Sequence, residues 1–269
     1  MKEHKQLELF ADRAPNAGSS NGPPAQRLAP GSLSDAALIA ALPDSVLADA
    51  RALAAEAGRR RLSGAVTALV ALCNRFVGYG VDREAPEQAA ALEALAAIGG
   101  PEAARLIGQL IAKGIVQGPT LAVAATAAWQ LGVTFPPDVA LMLLRHPNAS
   151  VRASACGCLR AGRDTVATLT ELLSDLDNEV STAAACALGR MGRVEARDHL
   201  KRCLNERPSP RVIEAVAGVA DEEAVVFLAR IGRARRELAA PVLSALDEID
   251  HPRAAAAASG LRDWLSLPE

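Results

Sequence analysis

Cysteine and histidine side chains can bind a metal or take part in nucleophilic catalysis, and this chain has five cysteines and four histidines. Structural zinc sites usually take closely spaced pairs such as C-x-x-C. Cys156 and Cys158 instead form a C-x-C, and no second pair follows at zinc-site spacing. Four of the five cysteines, which also include Cys73, Cys186 and Cys203, fall on predicted apolar helix faces, where a free thiol behaves as a small hydrophobic side chain. The cysteines therefore predict a reducing, cytoplasmic location and no bound metal.

The four histidines also lack a metal-binding or catalytic pattern. His146 and His251 each precede a proline, at equivalent positions of predicted turns between helices, where helix capping is favoured over metal ligation. His4 and His199 are followed by lysine and leucine. No G-x-S-x-G, P-loop or G-x-G-x-x-G motif occurs in the sequence. We therefore predict no catalytic residue, no cofactor and no enzymatic activity.

The composition favours closely packed helices. Half of the residues are hydrophobic, mostly alanine and leucine, and only 3% are aromatic, whereas sheets favour β-branched and aromatic residues. Basic and acidic residues number 29 and 31, so the net charge gives no support for direct binding to nucleic acid or membranes. We expect no secretory leader and no membrane span, since no apolar run reaches about 18 residues.

The chain repeats itself with a period near thirty residues. Residues 143–159 superpose on residues 172–189, with Val151 aligned on Val180, an offset of 29 residues. A fixed period of this length is typical of stacked repeats. Starting at Val180, apolar residues recur at i, i+3, i+4, i+7 and i+8, which describes one face of a helix. Asp177 or Asn178 can cap this helix and Gly192 can end it.

The same pattern predicts seven pairs of helices between residues 45 and 265. The pairs are 45–58 with 61–76, 86–98 with 101–113, 119–131 with 137–145, 149–161 with 164–174, 178–191 with 194–204, 210–219 with 221–231, and 236–249 with 252–265. A single helical hairpin cannot bury its apolar face alone, so the pairs must stack on one another. Trp129 and Trp264 fall on apolar helix faces and are expected to pack in the core or at an end of the array.

Before this array the composition changes. Residues 14–31 are rich in Pro, Gly, Ser and Asn and show no apolar periodicity, which predicts a flexible linker. The sequence thus divides into a tail at 1–13, a linker at 14–31 and a helical array at 32–269. The tail is expected to be disordered.

The repeat resembles HEAT repeats, including the short bacterial repeats also found in phycobilin lyases. The motif is LL-x-D-x-D/N-x-x-V followed by A-A-x-A-L-G, and it is clearest at residues 172–189. The resemblance implies an all-α fold, an α-solenoid of about seven HEAT-like hairpins, and a protein that binds protein partners on its surface. HEAT-like hydroxylases carry His-Glu pairs that hold iron, and this sequence has none. HEAT-like DNA glycosylases carry a basic concave face, whereas the second helices expected to line that face here have mixed charges.

One short motif lies in the tail. Gln6-Leu7-Glu8-Leu9-Phe10 resembles the Q-L-S/D-L-F peptide by which bacterial replication and repair proteins bind the β sliding clamp. The resemblance implies that Gln6 hydrogen-bonds at the rim of a pocket, that Leu9 and Phe10 fill an apolar cleft, and that Leu7 supports them. Glu8 departs from the usual Ser or Asp. The alternative is a short amphipathic helix at 5–13 that packs on the first repeat.

Two functions follow from these observations. The first is a non-enzymatic scaffold or adaptor, tethered to the β sliding clamp and acting in DNA replication or repair. The alternative is a general HEAT-like scaffold, or a modification chaperone like the phycobilin lyases, whose tail is incidental.

Overall fold

The computed structural model describes residues 29–79 and 81–266, and all regular structure within them is helical. Residues 1–28 lie outside the described part, and with them the proposed clamp-binding residues Gln6, Leu7, Leu9 and Phe10. The α-helices are α1 (Asp35–Ala41), α2 (Leu47–Arg59), α3 (Val66–Arg75), α4 (Pro86–Ile98), α5 (Gly100–Ala112), α6 (Thr120–Gln130), α7 (Pro137–Leu144), α8 (Ala149–Ala155), α9 (Arg163–Leu172), α10 (Asn178–Arg190), α11 (Arg197–Glu206), α12 (Pro210–Ala217), α13 (Glu222–Ala234), α14 (Ala239–Glu248) and α15 (Pro252–Ser266). The predicted all-α class is confirmed.

Seven hairpins follow α1, each made of a first helix with an even number and a second helix with an odd number, from α2/α3 to α14/α15. Successive first helices pack directly on one another from α2 to α14, and each second helix from α3 to α13 packs on the first helix of the following hairpin. The predicted solenoid of seven hairpins is therefore confirmed. None of the helices that the structure describes is long and apolar enough to cross a membrane.

The first helices approach closely because their contact faces carry alanine and glycine. In α10, a Cβ atom added to Gly189 would lie 2.5 Å from the carbonyl oxygen of Ala215 in α12. A Cβ atom on Gly218 would lie 2.2 Å from the carbonyl oxygen of Gly189. The two backbones thus touch, which only glycine allows at these positions. Leu188, next to Gly189 in α10, is fully buried.

Helix ends follow the predicted local chemistry. Oδ1 of Asp177 accepts hydrogen bonds from the backbone N–H groups of Glu179 (2.9 Å) and Val180 (3.2 Å), so Asp177 is the N-cap of α10. Gly192, with φ of +69°, follows the end of this helix. Both features satisfy backbone groups that the helix leaves unpaired.

Two predicted boundaries are wrong: the helix predicted to begin at residue 61 begins at Val66, after a 3-10 helix, Ser63–Ala65. The sequence predicts a helix at 149–161, whereas α8 ends at Ala155. A Cβ atom added to Gly157 would lie 2.0 Å from Cδ1 of Trp129, so the indole ring occupies the space that a side chain at residue 157 would need. Trp129 belongs to the preceding hairpin, so α8 ends next to a residue of another hairpin that packs against Gly157.

Two short elements precede the first hairpin and pack against α2: a 3-10 helix, Pro30–Ser32, and α1. The predicted hairpins do not include α1. The guanidinium of Arg60 donates hydrogen bonds to the carbonyl oxygens of Pro30 (3.0 Å), Gly31 (3.1 Å) and Leu33 (2.8 Å). It also pairs with Asp35 at 2.9 Å. Arg60 therefore fixes the start of the solenoid on its first hairpin.

Candidate interaction surfaces

Four of the five cysteines are buried packing residues. Burial raises the pKa of Cys73, Cys156 and Cys158 to about 12 and that of Cys186 to about 11. Half-buried Cys203 lies with its Sγ 3.7 Å from Oγ1 of Thr182. All five are free thiols. Because the thiolate is the reactive form, the four buried thiols are poor nucleophiles at neutral pH.

The histidines that precede prolines stabilise turns, as predicted. Nδ1 of His146 accepts a hydrogen bond from the backbone N–H of Asn148 at 3.1 Å. Nδ1 of His251 accepts one from the N–H of Arg253, also two residues ahead, at 3.2 Å. Burial lowers the pKa of His146 and of His199, which favours their neutral forms. Among the described residues, no group of three or more His, Cys, Asp or Glu side chains could hold a metal ion.

A row of ion pairs runs across the second helices of the last three hairpins. Nζ of Lys201 in α11 lies 2.6 Å from Oδ2 of Asp221 and 2.6 Å from Oε2 of Glu223, at the N-terminus of α13. These hydrogen bonds raise the pKa of Lys201. On the other side, Nη1 of Arg253 in α15 lies 2.6 Å from Oε2 of Glu222. Acidic side chains at the positive end of α13 thus bind cations from both neighbours.

An exposed apolar patch lies at the first hairpin. Nine large hydrophobic side chains of the described residues are exposed, and five of them belong to two short segments of this region. The five are Val46, Leu47, Val77, Tyr79 and Val81. Large exposed apolar surfaces on a folded protein commonly mark sites where another molecule binds. We name these five residues the apolar patch.

The two segments of the apolar patch are held together by Arg75. Its Nη1 atom donates hydrogen bonds to the carbonyl oxygens of Ser45, at 2.7 Å, and of Pro43. The rings of Phe76 and Tyr79 lie edge to face with centres 6.0 Å apart. Leu47, 71% exposed, has φ of +49°, a conformation that costs a non-glycine residue about 1–2 kcal/mol. The patch therefore combines exposure of apolar side chains with backbone strain, which often accompanies function.

A second candidate surface is the groove between α13 and α15. Val226, 58% exposed, and the half-buried Ala229 and Ala257 form its apolar part. Arg230 and Arg233 stand beside them on α13. We name these five residues the arginine groove. The sequence alone did not indicate either surface. Their apolar residues follow the same sequence pattern as core or turn residues, and only the packing of neighbouring elements decides whether they are covered.

Residues 136–221 match the family model described as HEAT repeats. The matched segment runs from α7 almost to α13 and includes the part of the chain where the sequence repeat is clearest. The predicted HEAT-like character is therefore confirmed for this segment. No curated protein matches the chain. HEAT repeats generally form helical frameworks that mediate protein–protein interactions, and function in such a fold depends on the surfaces presented.

Proposed function

We propose that this protein is a non-catalytic adaptor: its solenoid binds a protein partner, and residues 6–10 attach it to the bacterial β sliding clamp during DNA replication or repair. The observation that supports the adaptor role best is that the cysteine and histidine side chains have structural roles. The buried thiols and the two turn histidines all serve packing or capping. The apolar patch and the arginine groove, by contrast, lie exposed on the surface.

The attachment to the clamp is supported by the sequence Gln6-Leu7-Glu8-Leu9-Phe10 and by its position ahead of the solenoid. Arg60 fixes residues 30–33 on the first hairpin, so the part of the chain that the structure describes begins at that end of the array. A short peptide gains affinity from a few apolar anchors that enter preformed pockets, here Leu9 and Phe10. Tethering by such a peptide raises the local concentration of the solenoid's partner at the clamp without a DNA-binding surface.

The test is binding of the full chain to the purified β sliding clamp of the same organism, measured by biolayer interferometry. We expect saturable binding of the wild-type chain. The Leu9→Ala/Phe10→Ala variant should bind the clamp with an affinity at least about tenfold lower, since each anchor contributes on the order of 1–2 kcal/mol. A fluorescein-labelled peptide of residues 1–13 should bind with the same dependence on Leu9 and Phe10.

Two control variants sharpen this test. Lys2→Ala/Lys5→Ala alters the same tail outside the motif and should bind like the wild type. Glu8→Ser restores a residue usual in the clamp-binding family and should bind at least as tightly as the wild type. If the wild-type chain does not bind the clamp, or if the Leu9→Ala/Phe10→Ala variant binds equally well, the attachment is wrong and a general HEAT-like scaffold remains.

A further inference from the structure

The outer face of α13 mixes apolar and basic side chains in a regular way. Val226, Ala229, Arg230 and Arg233 occur at i, i+3, i+4 and i+7, so they lie along one side of the helix. This side faces α15 across the arginine groove, and other residues of α13, such as Leu228, are fully buried. Val226 thus remains exposed although the helix has a well-covered apolar face.

The groove exists because the residues at its floor are small. Ala229 of α13 and Ala257 of α15 face each other across it, and the space they leave measures about 580 Å³. At one end, a Cβ atom added to Gly260 would lie 3.2 Å from Nη2 of Arg233, so the guanidinium lies directly against a glycine. A bulky apolar side chain from another molecule can therefore lie beside Val226 without displacing a large residue.

Arg230 and Arg233 differ from the other cations nearby. Lys201, and Arg253, which also lines this pocket, are neutralised by carboxylates at 2.6 Å. Arg230 instead donates a hydrogen bond to the amide oxygen of Asn205 at 3.0 Å and lies 5.0 Å from the ring centre of Phe227, both neutral partners. Arg233 forms no ion pair with any residue that the structure describes. Two guanidinium groups one helical turn apart thus lie beside an exposed apolar surface without carboxylate partners.

We propose that the arginine groove binds an acidic segment of a partner protein in which two carboxylates accompany a bulky apolar side chain. This identifies the chemistry of the partner and rests on the adaptor function proposed above. The planar guanidinium groups of Arg230 and Arg233 match carboxylates in two-point hydrogen bonds. The apolar side chain lies on Val226, Ala229 and Ala257, where it removes exposed apolar surface from water.

Charge distribution favours an acidic peptide over a nucleic acid as the occupant. Only two guanidinium groups lack carboxylate partners here, whereas proteins that bind nucleic acid present a broad basic surface. The nearby cations Lys201 and Arg253 are already paired with Asp221, Glu223 and Glu222, so they offer no unpaired positive charge to a phosphate backbone that extended past the groove. A short peptide needs no such extension.

The test is selection of a displayed library of random twelve-residue peptides on the full wild-type chain, followed by sequencing of the enriched clones. We expect enrichment of peptides in which an acidic pair lies next to Leu, Ile, Phe or Trp. A labelled peptide from this set should bind the Arg230→Ala/Arg233→Ala variant at least about tenfold more weakly than the wild type, and added salt should weaken its binding to the wild type.

Three further variants of the chain test whether peptide binding depends on the arginine groove. Arg160→Ala/Arg163→Ala removes two exposed arginines elsewhere and should bind the selected peptide normally. Val226→Asp places a negative charge in the groove at an exposed position and should repel the peptide without affecting the fold. The Leu9→Ala/Phe10→Ala variant should bind the peptide like the wild type, so failure of the clamp attachment and failure of the groove can be told apart.

Several results would overturn the proposal. One is enrichment of peptides without acidic residues, and another is equal binding of the selected peptide by the Arg230→Ala/Arg233→Ala variant. A third is binding of labelled single-stranded DNA that depends on Arg230 and Arg233 while no acidic peptide is enriched, which would make the groove a nucleic-acid site.

Discussion

The guanidinium carbon of Arg211 lies 4.1 Å from the centre of the Trp129 ring. Trp129 belongs to α6 and Arg211 to α12, so the contact joins the third hairpin to the sixth and passes over α8 and α10. Packed helices are about 8–10 Å apart, and two side chains cannot span three such intervals in a straight stack. The first helices therefore converge at this point, where Gly157 and the early end of α8 leave room for the indole ring.

We expect the Gly157→Ala substitution to destabilise the protein by about 1–3 kcal/mol, because the added methyl group would overlap the Trp129 ring. Urea denaturation followed by circular dichroism measures the change. Gly31→Ala is the matched control, since no atom lies within 4 Å of its added Cβ and stability should be nearly unchanged. In a Trp129→Ala background the Gly157→Ala substitution should cost much less. An equal cost in both backgrounds would show that the ring does not set the constraint.

The sequence predicted those features that depend on residues close to one another along the chain. The helical period of apolar residues is local, and it gave the seven hairpins with boundaries correct to a few residues in most cases. The N-cap Asp177 and the terminating Gly192 are local too. In each case the backbone groups that must be satisfied lie within one turn of the residue that satisfies them.

Features that depend on contacts between distant residues were not predictable. The end of α8 lies next to Trp129 from another hairpin, and the anchoring of residues 30–33 depends on Arg60, about 30 residues away. The two candidate surfaces also depend on contacts between residues that are distant in the sequence. Whether Leu47 or Val226 is covered depends on which neighbour packs there, and the hydrophobic pattern is the same in either case.

Chemical labelling of the cysteines should distinguish Cys203 from the rest. At neutral pH, Ellman's reagent should react with Cys203 alone in the native protein, because it is half-buried whereas the other four thiols are buried with strongly raised pKa values. All five should react in denaturant. The Cys203→Ser variant is the control and should show almost no native labelling. Rapid native reaction of four or five thiols would contradict the burial described for them.

Arg152 and Asp175 form an ion pair that ties α8 to the turn before α10. Nε and Nη2 of Arg152 each lie 2.9 Å from a carboxylate oxygen of Asp175, and Nη1 donates to the carbonyl oxygens of His146 and Pro147. The single ammonium group of lysine cannot make all of these hydrogen bonds. Arg152→Lys should therefore destabilise the protein by about 1–3 kcal/mol in urea denaturation. Arg145→Lys, at an exposed arginine, should be nearly neutral. Equal stability of the two variants would mean that the hydrogen bonds of the Arg152 guanidinium contribute little to the free energy of unfolding.

Acid should weaken the first hairpin through Glu56. Hydrogen bonds from Arg59, and then from Arg60, lower the pKa of this carboxyl from 4.5 to about 2. Because the folded pKa is depressed, the stabilisation is fully present above the unfolded value and is lost as the pH falls from about 5 towards 2.

The Glu56→Gln variant cannot ionise at this position, so the difference in unfolding midpoint between it and the wild type should narrow steadily as the pH falls through that window. Midpoints from urea denaturation at a series of pH values measure this difference. Glu84→Gln, at an exposed glutamate without an ion pair to any described residue, is the control for loss of one negative charge. A difference for Glu56→Gln that stays constant between pH 5 and 2, or that changes no more than for Glu84→Gln, would show that the bonds from Arg59 and Arg60 do not stabilise the folded state.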